Sequence, residues 1–167
     1  DKFNGKQLKF IPTEETTIKN DFINSLSLNK DSLIYLNTFG SLYSINTQNY
    51  RINWFVNLKQ SYSLNPTNLF YSNPVVSFKD RIILSTDPDL YILNSSNGSI
   101  ISKISITSIV NPVISGNSIF VITKDNLLVC IDFLTGKIIY SINIEKKIAN
   151  FLETKNKSIN IKTLSLA

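Results

Sequence analysis

Few residues in this chain have the type and spacing to do chemistry. Asp87-Pro88-Asp89 puts two carboxylates two positions apart, and Asp125 repeats an acid in a similar setting. Clustered carboxylate oxygens suit a hard divalent cation. No Gly follows at calcium-loop spacing, however, and no Glu follows to close the shell bidentately. Asp and Pro are favoured in tight turns for backbone reasons, so these acids are expected in strand-connecting turns, with no metal site. Cys130 lies in the apolar run LLVCID. A reactive thiol needs an electropositive, accessible setting, so Cys130 is expected as a small buried side chain. One Cys excludes an internal disulfide and a CxxC metal knuckle, and zero His excludes imidazole ligands and an imidazole general base. No catalytic, cofactor-binding or metal-ligating residue emerges, and a function by binding is expected.

A binding role points to a different stretch. Segment 59–72 reads KQSYSLNPTNLFYS and concentrates Tyr62, Leu64, Leu69, Phe70 and Tyr71 in a polar connection. Aromatic residues on a loop carried by a rigid scaffold are typical of contacts with a protein partner. The alternative is that they fold back and pack between neighbouring structural units. The formal charge of +5 does not point to nucleic acid, because the cations are 15 Lys and only two Arg, and base edges are read chiefly by Arg. The 25 Ile and 21 Asn against two Ala mark A/T-rich coding, which supplies Lys as well. Lys146, Lys147, Lys155, Lys157 and Lys162 are expected on a solvated connection. The uncharged run 104–123 is broken by Asn111-Pro112 and Gly116-Asn117, which reads as strand–turn–strand punctuation and not as a membrane span.

The elements that carry these residues are set by an internal repeat. Segment 73–106 aligns without a gap on 111–144, an offset of 38. Asn73-Pro74-Val75-Val76 falls on Asn111-Pro112-Val113-Ile114, Ile82 and Leu84 on Phe120 and Ile122, and Asn97-Gly98 on Thr135-Gly136. An earlier copy lies at an offset of 48, with Ile34, Leu36, Leu42, Tyr43 and Asn46 on Ile82, Leu84, Leu90, Tyr91 and Asn94. Each copy divides into four short apolar runs, 111–115, 118–123, 127–132 and 137–144 in the third. Abundant β-branched Ile and turn-forming Asn and Gly dipeptides make these runs strands. Four-stranded antiparallel units at a period near 40 are the pattern of propeller blades.

At the turn of each copy the residues resemble the PQQ-type β-propeller repeat, roughly Ala-x-Asp-x-x-x-Gly-x-x-x-Trp. Ser44, Asn46, Tyr50 and Trp54 hold these places in the first copy, Ile92, Asn94, Gly98 and Ser102 in the second, and Cys130, Asp132, Gly136 and Tyr140 in the third. The resemblance implies an all-β partial propeller of about three to four blades. Blades are expected at 24–58, 73–106 and 111–144. Residues 1–13 are expected as the last strand of a preceding blade, and 159–167 as the first strand of a following one. The family's Trp docks one blade on the next. Ser102 cannot do this, so looser packing is expected around the second blade. Quinone-dependent dehydrogenases of the family use a vicinal Cys pair and a calcium site, and the single Cys here departs from that. The resemblance is greatest to cofactor-free propellers of the BamB-type outer-membrane assembly lipoproteins. It implies a non-enzymatic, periplasmic protein-binding scaffold that meets the membrane only through a lipid anchor outside this chain. The partner would be the β-barrel assembly machinery, and open blade edges would allow self-association. A sensor or peptide-binding propeller and a fragment of a quinone-dependent dehydrogenase stay open as alternatives.

Overall fold

The computed structural model describes residues 1–13, 24–59, 70–108, 110–151 and 161–165. Twelve strands form three four-stranded antiparallel sheets, each a meander in chain order. Blade 1 comprises β1 (Ser25–Asn29), β2 (Ser32–Leu36), β3 (Ser41–Asn46) and β4 (Ile52–Asn57). Blade 2 comprises β5 (Val76–Phe78), β6 (Arg81–Ser85), β7 (Leu90–Asn94) and β8 (Ile100–Ile104). Blade 3 comprises β9 (Val113–Ser115), β10 (Ser118–Ile122), β11 (Leu127–Asp132) and β12 (Ile138–Asn143). A helix the sequence did not suggest, α1 (Ile144–Phe151), follows. The fold is that of a partial β-propeller of three blades.

The middle strands of blade 2, β6 and β7, are buried on both faces, and their side chains go alternately to the two neighbouring blades. Ile82, Leu84, Tyr91 and Leu93 of blade 2 join Ile34, Leu36, Leu42 and Leu58 of blade 1 in one core. Ile83, Leu90 and Ile92 turn the other way and join Ile119, Val121, Val129, Ile131 and Phe133 of blade 3 in a second. Each fully buried aliphatic contributes about 1.5–3 kcal/mol, so the cores between blades hold the array together.

The gap-free alignment is corrected by strand register. Asn46, Asn94 and Asp132 head the same turn in the three blades, and they pair with Ser32, Arg81 and Ser118. Ile83, and not Ile82, is therefore the counterpart of Ile34 and Phe120. The cause is the hairpin between the second and third strands. Blades 1 and 3 use five residues there, 37–41 and 123–127, whereas blade 2 uses four, Thr86-Asp87-Pro88-Asp89. A one-residue change moves every side chain of a strand to the other face, so Ile-on-Ile matches had concealed the deletion.

The recurring turn has one construction. In blade 3 the Asp132 amide donates to the Lys137 carbonyl at 2.8 Å, the Gly136 amide donates to the Asp132 carbonyl at 2.8 Å, and the carboxylate accepts from the Thr135 amide at 2.7 Å. Asn46 and Asn94 build the same loop in blades 1 and 2. A fourth copy is formed by 1–6, where the Gly5 amide donates to the Asp1 carbonyl at 2.9 Å and the Lys6 carbonyl accepts from the Asp1 amino group. Residues 1–13, expected as the last strand of a preceding blade, form this turn and then a run, 7–13, that pairs with no strand among the described residues.

Candidate functional site

The blades meet at two joints, and both open on the face that carries the hairpins between second and third strands. The first joint, between blades 1 and 2, holds the candidate contact residues. Phe70 is tied by its backbone amide to the Thr38 carbonyl at 2.9 Å. Its ring lies against Gly40, so close that a Cβ added there would meet the ring at 2.8 Å, and it packs on the core between blades 1 and 2. Phe70 therefore takes the fold-back position. Tyr71 is 58% exposed. It stands at the lip of a cavity of about 450 Å³ whose walls include Leu36, Asn37, Thr38, Asn73 and Pro74. Tyr62, Leu64 and Leu69 lie outside the described residues.

The walls of this cavity are fixed by side-chain amides. The Asn37 carboxamide oxygen accepts from the amides of Phe39 at 3.0 Å and Ser41 at 2.9 Å. The Asn73 amide nitrogen donates to the carbonyls of Ser108 at 3.0 Å and Val110 at 3.3 Å. Closer to the inner strands, the Ser25 hydroxyl accepts from the Val75 amide at 2.7 Å, and the hydroxyls of Ser27 and Ser77 meet. Among the described residues lining the cavity, Tyr71 is the one titratable side chain. A mixed polar and apolar hollow with an aromatic lip is suited to holding a partner's side chains.

The Trp54 ring closes the same joint from the outer edge. Its indole nitrogen donates to the Ser95 carbonyl at 3.0 Å, and the ring covers Gly98, where an added Cβ would meet it at 2.6 Å. Gly98 holds φ at +73°, which a side chain would resist even without the ring. At the second joint Ser102 occupies the equivalent place. It still reaches the next turn, since a Cβ on Gly136 would fall 2.3 Å from the Ser102 Cβ. The expected loosening is therefore absent at this contact. A cavity of about 500 Å³ lies deeper between blades 2 and 3, similar in volume to the one at the first joint.

The acids singled out by sequence have local partners. Asp87 pairs with Lys124 of blade 3 and accepts from the Thr107 hydroxyl at 3.1 Å. These two contacts hold its carboxyl below the usual carboxylate range. Asp89 pairs with Lys103 at 3.0 Å and accepts from the Ser105 hydroxyl at 3.1 Å. The hydrogen bond to the Asp89 carboxylate raises the Lys103 pKa against the opposing effect of desolvation, and the ammonium stands 5.5 Å from the centroid of the Tyr91 ring. Asp125 lines the rim of the second cavity, and no group of three metal-ligating side chains occurs among the described residues. Cys130 is buried in β11 opposite Tyr140. Burial first, and the neighbouring thiol second, push the Tyr140 phenol up. Lys146 and Lys147 lie on α1, Lys162 borders a small hollow beside Asn73 and Asn111, and Lys155 and Lys157 lie outside the described residues. Sequence reasoning missed the second cavity, because its signal is small side chains at strand positions that are large in the other joint. No helix among the described residues is long and apolar enough to cross a membrane.

The sequence matches no protein-family model and no curated protein. The fold has counterparts among solved structures. BamB from Moraxella catarrhalis superposes with a TM-score of 0.58 at 13% identity, covering 71% of this chain and 35% of that one. The computationally designed Ika4 protein gives 0.59 at 12% identity, covering 80% and 81%. A europium-containing methanol dehydrogenase gives 0.55 at 13% identity, covering 70% and 24%. This chain thus spans about a third of the length of BamB and a quarter of that dehydrogenase. At these identities the likeness establishes a shared propeller architecture.

Proposed function

We propose that the chain is a non-enzymatic protein-binding scaffold of the kind that serves outer-membrane β-barrel assembly in the periplasm. The observation that carries this reading is the likeness to BamB over 71% of the chain, with a TM-score of 0.58. The lip and cavity at the first joint support it, because Tyr71 is presented on a frame braced by Asn37 and Asn73. A scaffold acts by presenting surface, and an aromatic residue beside a hollow is the residue type that anchors protein interfaces. Methanol dehydrogenase shares the architecture at a similar TM-score, and architecture alone does not assign chemistry. The side chains argue for binding, since the acids Asp87 and Asp89 are held by lysines and hydroxyls in structural clamps.

The test is affinity capture with the full tagged protein from native envelope membranes, followed by mass spectrometry. Enrichment of the barrel-assembly pore and its lipoproteins is the expected result. Reproducible enrichment of unrelated proteins, or of none, overturns the reading. The end blades present apolar surface, Leu26 and Leu28 on one side and Tyr140 and Ile142 on the other. Self-association through them belongs to the same proposal, and a monomer in sedimentation at high concentration would remove it.

A further inference from the structure

The two joints are built from equivalent positions and filled differently. In the first, Tyr91 on β7 fills the space between the blades, with the Lys103 ammonium over its ring at 5.5 Å. Phe70 plugs the hairpin end, and Trp54 the outer edge. In the second joint the register places Val129 where Tyr91 stands and Ser141 where Lys103 stands. Ser102 replaces Trp54, and Ile106, two residues before the Ser108–Thr123 bridge as Phe70 is two before Ser72–Thr86, puts an aliphatic side chain where the first joint has the Phe70 ring. Beside Val129 and Ser141 lies a cleft of about 500 Å³, bounded also by Pro88, Ile106, Leu127 and Ile138. Lys124 lines it as well.

We propose that this cleft receives an aromatic side chain, phenylalanine or tyrosine, from a bound protein segment. The inference rests on the protein-binding reading above and gives that partner's chemistry. The first joint shows what this position can hold, a ring buried between two sheets with a lysine over it. A hollow of several hundred Å³ that combines aliphatic walls with hydroxyls, Lys124 and Asp125 has the dimensions and mixed lining of a specific site. Lys124 supplies at the mouth the cation that Lys103 supplies over Tyr91, and such a contact favours an aromatic ring over an aliphatic side chain. The hydroxyl of Ser141 offers the polar partner that a phenol needs on burial.

The experiment titrates the full chain, methyl-labelled at Ile, Leu and Val, with N-acetyltyrosinamide and with p-cresol, followed by NMR. Saturable shifts confined to Ile106, Leu127, Val129 and Ile138 are expected with both probes. Val129→Tyr should fill the cleft from within, raise the melting temperature and abolish the shifts. Ser141→Leu, a change on an exposed strand, should narrow the mouth and weaken binding about tenfold. Shifts that grow linearly without saturation, or a Val129→Tyr variant that binds as well as the parent, overturn the proposal. Binding of p-cresol without the amide overturns a protein side chain as the occupant in favour of a small phenol. Failure here alongside successful membrane capture removes this site and leaves the scaffold reading standing.

Discussion

The first joint is closed by side chains sent from three separate elements. Trp54 comes from the outermost strand of blade 1, Phe70 from the long connection and Tyr91 from the third strand of blade 2. The second joint relies on the aliphatic core around Ile83, Ile92, Ile119, Val121 and Ile131, with Phe133 against Phe78 and Arg81 at the turn end. Its hairpin end is held by a charge pair, Asp87 with Lys124, and carries Ile106 where the first joint has the Phe70 ring. Both joints hold a cavity, and the same backbone thus carries a ring at the Tyr91 position of one and the smaller Val129 at that position of the other. What differs is the size of four or five side chains and the length of one connection.

The sharpest test of that contrast is truncation at the docking position. Trp54→Ala removes a ring that covers Gly98 and donates to the Ser95 carbonyl. It should cost roughly 2–4 kcal/mol, the range for large-to-small changes at packed sites. For a chain of this size that lowers the melting temperature by several degrees, about 2–4 °C per kcal/mol. Ser102→Ala, at the equivalent place, should cost under about 0.5 kcal/mol. Equal losses would show that the two joints depend on this position alike and would break the comparison.

Phe70 and Tyr71 are neighbours in sequence with opposite environments, and they separate packing from presentation. Phe70→Ala should cost about 2–3 kcal/mol through the cavity left under Gly40. Tyr71→Ala should cost less stability than Phe70→Ala and reduce partner capture. Thermal melts and capture on both variants check this. A stable Phe70→Ala variant would mean that the ring contributes little to the first joint.

The four-run division, the turn residues and the blade count could be read from the sequence, because period-2 apolar runs and Asn-Gly or Asp-Asn dipeptides act locally. That Trp54 docks one blade on the next followed from the family resemblance, and its seat over Gly98 came only with the structure. The shift in β6 was not, since Ile82 and Ile83 are chemically alike and only pairing with Asn94 distinguishes their faces. The fold-back of Phe70 was stated as one of two outcomes, and nothing local distinguishes a residue that packs from one that presents. Helix α1 follows directly on β12 in a run expected to be a solvated connection. The second cleft is a property of two blades together, and single-segment patterns do not contain it.

The smallest effect concerns the turns against which the joints close. At the first joint that turn is headed by a neutral amide, Asn94, whose oxygen accepts from the Ser96 amide at 2.8 Å. At the second it is headed by Asp132, whose carboxylate accepts from the Thr135 hydroxyl and amide and from the Leu134 amide. The hydroxyl is the main cause holding the Asp132 pKa low, followed by the Thr135 amide. A carboxylate with a folded pKa below its unfolded value stabilises the native state above the unfolded pKa, near 3.9, and loses that contribution as pH falls through the folded value. Asp87, lowered by Lys124 and Thr107, acts in the same direction at the same joint. Acid should therefore loosen the second joint before the first, below about pH 4. Hydrogen exchange at blade 3 amides, followed from pH 6 to pH 3, reads this directly. Asp132→Asn copies the first joint's turn and should flatten the part of the pH dependence that appears at 132–137. An unchanged profile in that variant would assign the acid sensitivity to the Asp87–Lys124 pair alone.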